Sequence, residues 1–258
     1  MAFNPDRFAA TLLELRAART PIGALPDRPT TDAEGAAAQL ALARRLSADP
    51  PAGFKIGATG RRMQQYLGVS EPVAGFMEGR NLYRSGASLD LAGLTRPAVE
   101  CELAVRLARD LPAAPCTAAK AEAAVADLMA SIEIVENRYQ DDLASVGTPT
   151  LIADQMYHAA AVIGAPAADW PGLDMPNLTG RFLIDGVERD RGVAGELLGH
   201  PMNCLAWLAG SQVARAFGGL RAGQVIMLGS VTPPVWLGAS ARVEVVFDGL
   251  TPVALTLC

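Results

Sequence analysis

The chain is short of the residues that most often announce a function: aromatics make up 5% of its 258 residues, and it has two histidines and four cysteines. Cys101, Cys116, Cys204 and Cys258 lie far apart, with no CxxC and no Cys/His pair at ligand spacing. That pattern excludes a disulfide framework and a zinc knuckle, and the cysteines are expected to be reduced thiols. No stretch approaches the ~18 consecutive apolar residues that cross a bilayer. The opening "MAFNPDRFAATLLELRAART" spreads acids and arginines without a central apolar block, unlike a signal peptide, so a cytoplasmic location is expected. Lysine and arginine form no run, and the net charge is −5 with a pI near 5.1. These values predict no nucleic acid and no membrane partner; a small or metal-bound ligand fits better. Internal repeats and low-complexity blocks are absent as well.

Half of the residues are hydrophobic, enough for one large domain or one with a small part attached. Asn4 followed by Pro5, with Phe8, Leu12 and Leu15 at helical spacing, predicts an amphipathic helix. Thr31 and Glu34 form a capping-box pair ahead of Ala36, Leu40, Ala43 and Leu46, which predicts a second. From "PAGFKIGATG" onward short strands dominate, bounded by glycine and proline. Helices are expected from Thr117 to about Met129 and from Pro201 to Phe217, and a hairpin on Asp185 and Gly186. "QVIMLGS", "ARVEVVF" and "PVALTLC" read as late strands. Helices and strands without regular βαβ alternation define an α+β class.

In "TRPAVECELAVRLARDL", strand periodicity turns Val99, Cys101, Leu103, Val105 and Leu107 one way and Glu100, Glu102, Ala104 and Arg106 the other. Two carboxylates on one face are either the wet side of a half-buried strand or half of a metal site. In "SIEIVENRY", Glu133 stands between Ile132 and Ile134, where an acid in a core strand is costly unless paired or coordinating. Three carboxylates without a His/Cys set suit a hard cation such as Mg²⁺ or Mn²⁺. Lys55, in the apolar "GFKIG", either snorkels to the surface or serves such a site as a proton carrier. His200, just before Pro201, reads as a helix cap rather than a base, and no Ser/His/Asp set can be assembled around His158. Gly229 and Ser230 end a strand where backbone N–H groups and a hydroxyl can face an anion.

Six blocks in order, "GFKIGATGRRMQQYLGVSEPVAGF", "RPAVECELAVRLARDL", "SIEIVENRY", "LIADQ", "LGHPMNCLAWLA" and "GLRAGQVIMLGS", cover nearly the whole chain. Together they resemble the 2-keto-4-pentenoate hydratase and 4-oxalocrotonate decarboxylase family, within the fumarylacetoacetate hydrolase superfamily. The resemblance implies a mixed β-sandwich or roll, with a helical N-terminal part leading into the Lys55 strand at residues 1–75 and a β-rich catalytic body at 76–258. It implies Glu100, Glu102 and Glu133 as ligands of Mg²⁺ or Mn²⁺ and Lys55 as the catalytic lysine, with Arg138, Asp154 and Ser230 at the substrate. The implied substrate is a 2-oxo or 2-hydroxy-dienoic acid, hydrated to a 4-hydroxy-2-oxo acid; decarboxylation of a 4-oxalocrotonate-like diacid is the alternative. A homo-oligomer is implied, and a non-catalytic chain partnering a decarboxylase or hydratase subunit is the rival reading. C–C hydrolysis is disfavoured, since no His/Glu pair is evident. The chain departs from the family where an acid is usual: "GFMEGRN" has Gly79 and Arg80 there, with Glu78 nearest. Arg80 is therefore expected to meet a second anionic group on the substrate. Gln155, Met156, Tyr157 and His158, and "VTPPVW" after Ser230, are expected to reshape the pocket.

Overall fold

The computed structural model describes residues 2–140, 143–167 and 169–258. Helix α1 (Pro5–Ala18) starts as expected, with the Asn4 side chain accepting the Arg7 N–H. In α2 (Asp32–Arg45), Thr31 accepts the Glu34 N–H while the Glu34 carboxylate reaches back to Thr30. Strand β1 (Gly53–Gly57), α3 (Arg61–Leu67), β2 (Val73–Met77), β3 (Leu82–Arg84) and β4 (Ala87–Leu89) follow. The long pair β5 (Pro97–Leu107) and β6 (Val125–Glu136) is joined across α4 (Ala118–Glu122). Then come α5 (Leu143–Val146), α6 (Thr148–Ala153), β7 (His158–Ile163), β8 (Thr179–Ile184), β9 (Val187–Val193), α7 (Pro201–Gly210) and α8 (Gln212–Ala216). Strands β10 (Val225–Ser230), β11 (Val235–Trp236), β12 (Ala241–Phe247) and β13 (Val253–Leu257) complete the chain.

The larger sheet runs β2-β1-β10-β5-β6-β7-β3, with β11 added on β5; the smaller runs β4-β13-β12-β8-β9. In the large sheet, Cys101, Leu103, Val105, Ile132 and Ile134 join the main core, which the helices and the smaller sheet cover. The opposite face is not left to water. Lys55 lies opposite Met227, Met227 opposite Ala104 and Ala104 opposite Met129. Met77, Ala104, Met129, Ala161, Val225 and Met227 form a second, smaller core there. The sheet curls until the turn before β7 meets β2: Gln155 Nε2 donates to the Phe76 carbonyl at 2.8 Å. A Cβ at Gly75 would sit 2.5 Å from the Gln155 carbonyl oxygen, so this closure requires glycine. The face carrying Glu100 and Glu102 is thus the lining of a concave interior, with methionine and alanine packing its lower part.

Three expectations are corrected. The helix placed from Thr117 to Met129 ends at Glu122, and Val125–Glu136 is strand, since pairing with β5 along the full length of the pair outweighs the helical propensity of its alanines, leucine and methionine. The helix from Pro201 to Phe217 is two, broken at Ser211, which adopts an extended conformation and caps α8. A boundary at residue 75 would cut β2, which pairs with β1 over all five of its residues, so both strands belong to the β body. The hairpin turn is as expected, with Asp185 (φ 52°) and Gly186 (φ 77°) both left-handed.

Candidate metal and substrate site

Strands β5 and β6 place Glu100 directly opposite Glu133 and Glu102 opposite Ser131. One carboxylate oxygen from each of Glu100, Glu102 and Glu133 lies within 4.8 Å of the others. Glu102 and Glu133 are buried, while Glu100 is half-buried and faces a pocket of about 400 Å³. Lys55, 2% exposed on β1, is held between Glu133 Oε1 at 3.2 Å and the Met156 carbonyl, to which its Nζ donates at 2.6 Å.

Three carboxylates against one ammonium leave the cluster short of positive charge. Burial, then Glu133, pushes Glu100 up to about 8, and burial followed by Glu133 and Glu100 pushes Glu102 well above the carboxylate range. Burial also drives Glu133 upward, but Lys55 and the hydrogen bond from His158 outweigh it and its net shift is downward. Glu133 Oε2 is buried without a hydrogen-bond partner among the described residues, although Oε1 takes two contacts. An orphaned anionic oxygen in an oxygen-only donor set fits a hard divalent cation. Glu102 is aimed by backbone: Gly229 N–H donates to its Oε2 at 3.2 Å. Gly229 has φ 114°, and a Cβ there would come within 2.1 Å of Thr59 Oγ1. Glycine is therefore the residue that fits this close approach.

His158, expected only to reshape the pocket, proves to be the partner of Glu133. Its Nδ1 lies 2.8 Å from Glu133 Oε1, and burial, outweighing that contact, keeps the ring neutral so that Nδ1–H donates. The only signal in the chain was a histidine starting a strand beside β6, and the β6–β7 register shifts at Ile134/Val135, which period-2 counting cannot foresee. A His/Glu pair does therefore exist, buried beside the carboxylate cluster. Thr232, in the loop expected to reshape the pocket, lines it, and its buried Oγ1 has no partner among the described residues.

The expected substrate residues fall elsewhere. Asp154 is fully buried and accepts from Arg16 and from Arg138 Nη1, the latter at 3.2 Å. Burial would raise it, but the two guanidiniums hold it below the usual range. Arg138 Nη2 donates to the His158 carbonyl at 2.7 Å, and Arg16 Nη1 to Gln155 Oε1 at 2.9 Å. Asp154 and Arg138 are thus not in the pocket wall; their hydrogen-bonding capacity is spent on fixing residues 154–158. That segment needs fixing. Gln155, Met156 and Tyr157 have φ of 57°, 48° and 65°, a run of left-handed residues costing about 1–2 kcal/mol each. The turn delivers the Met156 carbonyl to Lys55.

Ser230 lines the pocket, but its hydroxyl donates within its own loop, to Thr232 O at 2.7 Å, rather than standing free for an anion. Arg80 is corrected outright. β2 runs antiparallel to β1 with Met77 opposite Gly53, so Gly79 and Arg80 leave the sheet at the end away from Gly57 and the pocket. There the exposed Arg80 guanidinium pairs with Glu78 at 2.7 Å. His200 caps α7, its Nδ1 accepting the Met202 N–H.

The fumarylacetoacetate (FAA) hydrolase C-terminal family matches residues 55–257. A 2-keto-4-pentenoate hydratase of Burkholderia vietnamiensis is 34% identical over 83% of this chain and 80% of its own length. A 2-hydroxyhexa-2,4-dienoate hydratase of Comamonas testosteroni is 31% identical over 87% and 85%. In fold, the chain resembles the 4-oxalocrotonate decarboxylase from Pseudomonas putida G7 complexed with magnesium and adipate, with a TM-score of 0.89 and 24% identity over 98% and 97% of the two chains. A curled sheet with a carboxylate cluster on its inner face, the match over residues 55–257 and relatives of this identity together make the chain a member of the fumarylacetoacetate hydrolase C-terminal family.

Proposed function

We propose that this chain is a divalent-metal-dependent lyase that adds water to a 2-hydroxy-2,4-dienoate, giving a 4-hydroxy-2-oxo acid. The observation that carries the reading is the electrically incomplete cluster of Glu100, Glu102 and Glu133 beside Lys55, with Glu100 on the wall of a pocket. The names of its hydratase relatives supply the reaction class. Glu100, Glu102 and Glu133 hold the cation, Mg²⁺ or Mn²⁺ by the hardness of the donors. Such a cation would supply a fixed positive charge that stabilises the anionic form of a 2-oxo acid. Lys55 is the catalytic residue of the chain itself: its ammonium, oriented by Met156 O and Glu133, steadies negative charge at the C2 oxygen and passes a proton. His158 fixes Glu133, as hydrogen-bond donors behind metal-binding carboxylates do. Arg138 and Asp154 act through the left-handed turn, and Ser230 through the loop it closes.

The test is the loss of ultraviolet absorbance of freshly prepared 2-hydroxypenta-2,4-dienoate with Mg²⁺ or Mn²⁺, in wild type and Glu102→Gln, with products identified by mass. Metal-dependent loss that Glu102→Gln abolishes, giving a product one water heavier, is expected. No turnover of this dienoate, with CO₂ released from 4-oxalocrotonate instead, would replace hydration by decarboxylation.

A further inference from the structure

From the chemistry of the pocket mouth we infer that the substrate's distal end is uncharged and apolar, an alkyl or aryl tail rather than a second carboxylate; this rests on the metal-site reading above. Besides Glu100, the lining includes the apolar Met63, Val231, Pro233, Pro234 and Trp236, and Trp236 is half exposed. The neutral Thr232 hydroxyl, buried and unpaired among the described residues, is the group offered to polar atoms part-way along.

Charge at the mouth points the same way. Among the described residues, Asp190, Arg191 and Glu196 are the ionisable lining residues besides Glu100. Arg191, the one cation among them, is solvent-exposed and shared with Glu188: its Nη2 lies 2.6 Å from Glu188 Oε1 and its Nε donates to the same oxygen at 2.7 Å. Asp190 is half-buried, with Oδ1 accepting the Arg191 backbone N–H at 2.8 Å. A second carboxylate on a ligand would enter a lining where, among the described residues, the carboxylates of Glu100, Asp190 and Glu196 outnumber one guanidinium that Glu188 already shares. It would lose hydration without gaining a free cation, which is rejection by like charge and desolvation. An apolar tail meets the opposite conditions, each buried methylene being worth about a fourfold gain in affinity. Arg80, the cation the sequence offered for a second anionic group, is at the other end of β2.

The experiment is calorimetric titration of the Mg²⁺-loaded protein with 2-oxohexanoate, 2-oxo-5-phenylpentanoate and 2-oxoadipate, which share the 2-oxo acid head and differ in the tail. The two monoacids are expected to bind at least about tenfold tighter than 2-oxoadipate. Trp236→Ala is expected to weaken the monoacids severalfold and leave 2-oxoadipate little changed. Glu196→Gln combined with Asp190→Asn is expected to narrow the gap by strengthening 2-oxoadipate. Equal or tighter binding of 2-oxoadipate, lost in Arg191→Gln, would overturn the inference and leave the metal-site reading standing. Mg²⁺ binding with no binding of any 2-oxo acid would overturn that reading and the inference with it.

Discussion

Two groups of buried carboxylates lie within a few strands of each other and are treated oppositely by the fold. Asp154 has Arg16 on one oxygen and Arg138 on the other, and it ends below the usual carboxylate range. Glu100, Glu102 and Glu133 share one lysine, and two of them end far above it. Burial costs both groups; only the first is compensated within the chain. The difference separates a structural clamp from a site: the group that the protein leaves short of positive charge is the one built to receive it from outside. The clamp still serves the site, because it holds the left-handed turn whose carbonyl orients Lys55.

The comparison is broken most severely at the clamp. Asp154→Asn leaves Arg16 and Arg138 facing each other without a buried anion and is expected to cost about 3–5 kcal/mol of stability, read as a fall in denaturant midpoint. Mg²⁺ affinity should change far less, because no carboxylate of the cluster is altered. A variant that kept its stability would show that the two arginines are compensated elsewhere.

Next in size is His158→Ala, which removes the donor to Glu133 Oε1 and is expected to lower Mg²⁺ affinity about 10–100-fold in a calorimetric titration. His158→Asn retains an N–H near the position of Nδ1 and should recover part of the loss; equal loss in both would assign His158 to packing alone.

A further expected effect is a tilt with pH. Glu100 rises in the folded chain from about 4.5 to about 8, so across that window the metal-free folded state binds more protons than the unfolded one. Its stability should therefore fall as pH rises from about 5 to about 8. Mg²⁺ binds the deprotonated cluster, so the rise in Tm that it gives should be larger at pH 8 than at pH 6. A metal-induced shift independent of pH would argue against a cluster that must shed protons to bind.

Period-2 alternation made the carboxylate face legible, because a strand's side chains obey it wherever the strand lies. It put Glu100 and Glu102 together and Glu133 with Ser131, and the register of β5 with β6 then made Glu100 and Glu133 neighbours. The caps of α1 and α2 and the Asp185 turn were legible for a similar reason, being local. Long-range partnership was not. The resemblance implied Asp154 and Arg138 as substrate residues, and Arg16, 138 positions from Asp154, gives no sign in the sequence that it pairs with Asp154. Arg80 sits near the family's usual acid in sequence, yet the antiparallel run of β2 carries it away from the pocket. The strand β6 was half hidden behind alanines that favour a helix when read without their partner strand.

The most direct test is calorimetric titration of metal-free protein with Mg²⁺ at pH 8, comparing wild type with Glu102→Gln. Binding with proton release in wild type, weakened at least about 100-fold in the variant, is the expected result. Failure of the wild type to bind, or equal affinity in both proteins, would contradict the assignment of the carboxylate cluster as a metal centre.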